Sequence, residues 1–143
     1  MTQRSHYREA SYALLRVTLG VVLLTTGISK LMMGIDNFAA GLQQEFAGQL
    51  PTAIVTPFAY MLPFIEITVG ALLILGLMNV IALFIAGLLL MVLTFGKTAV
   101  NDSATVAGNL SYVLINFVLL WLADYNGYSI DRMRHRRASV DRP

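Results

Sequence analysis

No cysteine occurs in the 143 residues, and the only histidines are His6 and His135, both near the chain ends. The first absence excludes disulfides, iron–sulfur ligation, thiolate metal sites and CxxC redox chemistry. The second leaves the spans described below without an imidazole for a haem ligand or a serine–histidine triad. Met61 and Met91 remain as sulfur donors, but methionine in an apolar helix is a packing residue. Walker loops, dinucleotide glycine fingerprints and spaced metal ligands are missing too. The expectation is therefore no metal and no covalently bound cofactor. Any electrons would travel on a diffusible carrier, of which a quinone is the candidate, or on a partner subunit.

Charge is also scarce. Charged residues make up 13% of the chain and hydrophobic ones 57%, against about 25% charged in soluble domains. That leaves too little polar surface for a water-soluble body of this size, so the apolar residues must face lipid. The length allows a single domain. The net charge of +2 is concentrated in the two tails, a pattern that points to membrane topology rather than to nucleic acid.

Four apolar runs reach the roughly 20 residues that a spanning helix needs: about 11–33, 56–77, 79–95 and 106–123. The first follows Arg4 and Arg8 in the manner of a signal peptide. It runs on to Lys30, however, with no small-residue cleavage site, and is expected to be a retained span. The predicted class is all-α, an integral membrane four-helix bundle. An even number of spans puts both tails on one side. Arg4 and Arg8, with Arg132, Arg134, Arg136 and Arg137, make that side cytoplasmic by the positive-inside rule. The basic stretch 132–142 would touch anionic lipid head groups.

Between the first two spans, Phe38, Leu42 and Phe46 recur at helical spacing, with Asp36 placed to cap and Gly48 and Pro51 to stop. This predicts a short amphipathic helix in the first external loop, lying on the membrane surface or folded over the bundle mouth. The segment Gly76-Leu77-Met78-Asn79 predicts a tight turn joining spans two and three.

Ionisable side chains inside a membrane are costly and usually face the bundle interior with a partner. Here they are Arg16, Lys30, Glu66 and Lys97, with Asn109 and Asn116 as uncharged company. Arg16, Gly20, Gly27 and Lys30 share one face of span one, where the glycines admit a close neighbour. Pro63, Glu66 and Gly70 share a face of span two; Asn109, Tyr112 and Asn116 do so on span four. The candidate binding cluster is therefore Glu66, Arg16, Lys30, Asn109 and Asn116. Arg16 and Lys30 lie roughly 21 Å apart along a helix, and Glu66 is expected about 10 Å from each. It can pair with either, or each base can snorkel to its own interface. In the pairing case the cluster is structural; otherwise the carboxylate handles a proton or a ligand head group. Tyr112, Trp121, Tyr125 and Tyr128 sit at interfacial positions, and Tyr60 and Tyr112 are candidates for stacking on a quinone.

The order Arg16…Gly20…Gly27…Lys30, then Glu66…Gly70…Gly76, then Asn126-Gly127-Tyr128-Ser129-Ile130-Asp131, with Phe38, Gly48 and Pro51 in the loop, resembles the DoxX family of small four-helix membrane proteins. The resemblance implies one four-span bundle and association with membrane redox work. The expected function is a quinone-proximal or accessory subunit of a membrane redox or respiratory complex. The alternatives are a small proton-coupled transporter-like protein or a purely structural assembly factor. Expected partners are the lipid bilayer and either oxidoreductase subunits or further copies of the chain. The expected location is the bacterial cytoplasmic (inner) membrane, with both termini cytoplasmic.

Overall fold

The computed structural model describes residues 2–129, with side chains from His6 onward. The Arg4 side chain, Ile130, Asp131, His135 and the basic stretch 132–142 lie outside the described residues. Among the described residues there are five α-helices and one 3-10 turn, with no strand. They are α1 (Thr2–Met32), α2 (Ile35–Glu45), α3 (Thr52–Leu75), α4 (Asn79–Ala99) and α5 (Ser103–Trp121), followed by the turn Ala123–Tyr125. Helices α1, α3, α4 and α5 are each long and apolar enough to cross a membrane. The helices α1, α3 and α5 begin earlier than the apolar runs do. Hydropathy marks the lipid-facing length of a helix, whereas backbone hydrogen bonding continues into its polar ends.

The four long helices form a ring in the order α1, α3, α4, α5. Leu19, Leu62, Leu73, Leu83 and Leu119 fill its axis and are fully buried. Phe84, Leu88, Met91 and Phe95 on α4, and Leu110, Leu114, Phe117 and Trp121 on α5, form exposed stripes at helical spacing. Apolar surface on that scale is stable against hydrocarbon, not water. We call the end where α1 begins, α3 turns into α4 and α5 finishes the tail end. The opposite end, with α2 and the α4–α5 connection, is the loop end.

The closest seam is α1 against α3. Lipid tails are as apolar as leucine, so helices in a membrane associate through packing rather than water release, and glycine allows backbones to touch. A Cβ on Gly27 would lie 2.8 Å from the Pro63 carbonyl oxygen, so α1 can approach α3 only with glycine there. At the tail end α3 closes in a left-handed cap at Gly76 (φ 65), where Leu77 N–H donates to the Leu72 carbonyl at 3.0 Å. Met78 is also left-handed (φ 47) before α4 starts, which makes the α3–α4 turn as tight as its sequence predicts.

Helix α2 folds back over the bundle mouth, with Ala39 buried and Phe38 packed against the core. Gly34 (φ 91), not Asp36, occupies its N-cap position. Asp36 lies in the first helical turn and accepts a hydrogen bond from Tyr60 Oη at 2.7 Å. A second tie runs from Gln43 Nε2 to Thr56 Oγ1 at 2.9 Å. Both fasten α2 along the start of α3.

Candidate functional site

The register of α1 against α3 decides which base meets Glu66. Gly27 packs level with Pro63 and Glu66: a Cβ on Gly27 would be 3.0 Å from the Glu66 Cβ. Lys30 follows Gly27 by three residues, about 4.5 Å of rise, while Arg16 precedes it by eleven, about 16 Å. Glu66 is therefore not midway between the two bases, as span boundaries alone imply. Lys30 Nζ donates to both carboxylate oxygens, at 2.8 and 2.6 Å. Glu66 is almost wholly buried, with a side-chain exposure of 3%, whereas Lys30 keeps 21%. A buried charge pair gains less than its Coulomb attraction suggests, because both ions lose hydration, but loss of one partner strands the other. The Phe38 ring on α2 lies 5.7 Å from Lys30 Nζ and faces the ammonium.

Beside this pair is a cavity of about 300 Å³ that all five helices help to line. Its polar wall is Lys30, Glu66, Glu45, Lys97, Thr105, Asn109 and Tyr112. Its apolar wall includes Val22, Leu23, Leu62, Leu90 and Leu93, with Phe38 and Leu42 of α2 as the lid. Lys97 Nζ donates to the Glu45 carboxylate on the lid and lies 3.4 Å from Asp102 Oδ2. Asp102 caps α5, accepting from Thr105 N–H at 3.1 Å and Thr105 Oγ1 at 2.6 Å. The Thr105 hydroxyl and amide, and then Lys97, hold its carboxyl below the usual aspartate range. Lys97 thus joins α2, α4 and α5 at the loop end instead of snorkelling alone.

Of the five candidate residues, the structure brings Lys30, Glu66 and Asn109 to this cavity and takes the other two elsewhere. Arg16 is 2% exposed at the tail end. Its Nη1 donates to Asn126 Oδ1 at 2.5 Å and its Nη2 to the Tyr128 carbonyl at 2.9 Å. The sequence reading placed Arg16 with Glu66 or at the interface; instead it holds the exit from α5. Asn116 lies one turn beyond Tyr112, buried against α4, where its Nδ2 donates to the Leu83 carbonyl at 3.2 Å. It serves helix packing. Tyr112 lines the cavity beside Asn109, on the face that the two share, while Tyr60 donates to Asp36.

Glu45, Lys97 and Thr105 were missed as cavity residues. Their signal was faint: each is an ordinary polar residue near a helix end, and only the folding back of α2 brings them together. Asn79 was missed as well; its Nδ2 donates to Tyr12 Oη at 2.7 Å in a buried contact. Among the described residues no three His, Asp or Glu side chains are grouped as metal ligands.

Four spanning helices around a lidded, charge-paired cavity define a small multi-pass membrane protein of the helical-bundle class. A model of the family described as methylamine utilisation protein MauE matches residues 8–101, well over half of the chain, and the chain belongs to that family. This overturns the DoxX resemblance, since MauE is a different membrane family. The residues behind that resemblance, glycines and charges at helical spacing, are what any close two-helix seam with an internal ion pair requires, so they did not discriminate between families. No curated protein and no solved structure matches the chain.

Proposed function

We propose that this chain is an accessory membrane component of a methylamine utilisation system, working beside a redox enzyme, and that its cavity takes a neutral, lipid-soluble molecule with a polar head. The observation that carries the reading is charge balance. Among the residues that line the cavity, Lys30 is matched by Glu66 and Lys97 by Glu45, while Asp102, which Lys97 also approaches, caps α5 outside the lining. A ligand with net charge would enter a low-dielectric site with no free counter-charge on its walls. Asn109, Tyr112 and Thr105 offer uncharged hydrogen-bonding groups, and the leucines offer an apolar face. A volume of about 300 Å³ is at the small end for organic ligands and suits one ring. A quinone head group meets these terms: its carbonyl oxygens accept hydrogen bonds and its tail is soluble in lipid.

The basic tails favour a cytoplasmic tail end, so the lidded cavity opens toward the outer face of a bacterial cytoplasmic membrane. A reporter fused to the C-terminus is expected to be active in the cytoplasm; activity on the outer side reverses the orientation.

The deciding experiment is purification from native membranes in mild detergent, followed by identification of everything retained. Oxidoreductase subunits and about one quinone per chain, with the quinone lost in Asn109→Leu/Tyr112→Phe, are the expected result. A clean homo-oligomer without quinone, combined with Glu66-dependent uptake of methylammonium into vesicles, overturns the reading in favour of transport.

A further inference from the structure

A second hollow, of about 500 Å³, opens between α1 and α5 at the tail end. It is separate from the lidded cavity, and nothing in the proposed function uses it. Arg8 and Tyr125 stand at its mouth. Arg8 Nη1 donates to Tyr125 Oη at 3.1 Å, and the guanidinium lies 5.7 Å from the centroid of the tyrosine ring. Among the described residues Arg8 has no carboxylate partner, in contrast to Lys30 and Lys97.

Deeper in, the walls turn apolar. Leu15 on α1 lies seven residues beyond Arg8, so that wall extends about 10 Å inward along the helix, and Val118, in the last turn of α5, lines the hollow opposite it. Leu119 and Leu122 complete the floor. Arg8 lies near the start of the apolar part of α1, and Tyr125 just past the end of α5. The mouth is thus at head-group depth and the floor at acyl-chain depth.

From this arrangement we propose that the α1–α5 hollow is a binding site for one anionic phospholipid. The lipid phosphate sits on the Arg8 guanidinium, where charge-assisted hydrogen bonds are strong, and the Tyr125 hydroxyl is a further donor. One acyl chain runs along Leu15, Val118 and Leu122. A basic pocket between spanning helices recognises an anionic head group through its charge, and Arg8, with no carboxylate partner among the described residues, selects against zwitterionic lipid. A free phosphate would satisfy the mouth and leave the apolar floor unused.

The test uses the full chain in mild detergent, with phosphatidylglycerol and phosphatidylcholine offered together and the retained lipid counted by native mass spectrometry. One phosphatidylglycerol per chain is expected in preference to phosphatidylcholine. Arg8→Gln should cut that preference about five-fold, the weight of one basic side chain near an anionic surface, with Arg8→Lys keeping most of it. Ser11→Phe, which fills the hollow without changing charge, should abolish retention of either lipid. Excess inorganic phosphate should leave the lipid in place, because it cannot replace the acyl contact. Equal retention of the two lipids by the unaltered chain, an undiminished preference in Arg8→Gln, lipid retention unchanged in Ser11→Phe, or displacement by phosphate alone each overturns the proposal.

Discussion

Gly20 and Gly70 stand back to back where α1 crosses α3: a Cβ on Gly20 would lie 2.8 Å from the Gly70 carbonyl oxygen, and one on Gly70 2.7 Å from the Gly20 carbonyl oxygen. Real Cβ atoms do not come that close to a backbone oxygen. This contact and the one at Gly27 lock the axial register that delivers Lys30, and not Arg16, to Glu66. Gly70→Ala is expected to push the helices apart and to destabilise the bundle by about 1–3 kcal/mol, the usual cost of overpacking. Gly108→Ala on α5 is the control. No atom lies within 4 Å of its added Cβ, and alanine favours a helix by about 1 kcal/mol over glycine. Thermal unfolding in detergent should move in opposite directions for the two variants.

The Lys30–Glu66 pair has its own signature. Glu66→Gln leaves Lys30 beside a neutral amide at membrane depth, and a loss of about 3 kcal/mol is expected, the low end for breaking a buried pair because Lys30 is partly exposed. Lys30→Met/Glu66→Leu removes both charges and should recover most of that stability. Unfolding curves for the single and double variants test this directly. A double variant as unstable as Glu66→Gln would mean that the pair is not the source of the loss.

Arg16 ties α1 to the segment that leaves α5. Its guanidinium bonds Asn126 and the Tyr128 carbonyl, and bonds to a charged group contribute about 1.5–3 kcal/mol each. The planar fork matters as much as the charge. Arg16→Lys is therefore expected to loosen the exit turn while leaving the Lys30–Glu66 cavity intact. Faster amide hydrogen exchange in residues 122–129, without a change around residue 66, is the expected readout.

Stability should also depend on pH through Asp102. Folding lowers its pKa, so the deprotonated carboxylate stabilises the fold above the ordinary aspartate range. That contribution is lost as pH falls through the lowered, folded-state value. Comparing Asp102→Ala with the unaltered chain, the difference in melting temperature should be full at neutral pH and shrink only under acidic conditions. A difference independent of pH would show that the cap acts without its charge.

Much of this protein could be read from its sequence. The four spans and the lid helix were legible because lipid imposes local rules: about 20 apolar residues per crossing, every backbone polar group satisfied within the helix, and a 3.6-residue period wherever one face is buried. Phe38, Leu42 and Phe46 announced α2 by spacing alone. The glycine face of α1 was likewise visible as a place for close approach.

What the sequence could not decide is which polar groups meet. Glu66 had two bases within plausible reach, and the choice between them rests on the axial register of two helices, which the Gly20–Gly70 and Gly27–Pro63 contacts set jointly. Arg16 found its partners more than 100 residues away, in a turn whose position depends on where α5 ends. Glu45 and Lys97 belong to the cavity only because α2 folds back over the bundle. Helices and their apolar faces follow from the solvent that each segment meets, so they can be read locally from the chain. Ion pairs and the cavity follow from the relative placement of segments, which no single stretch of chain encodes.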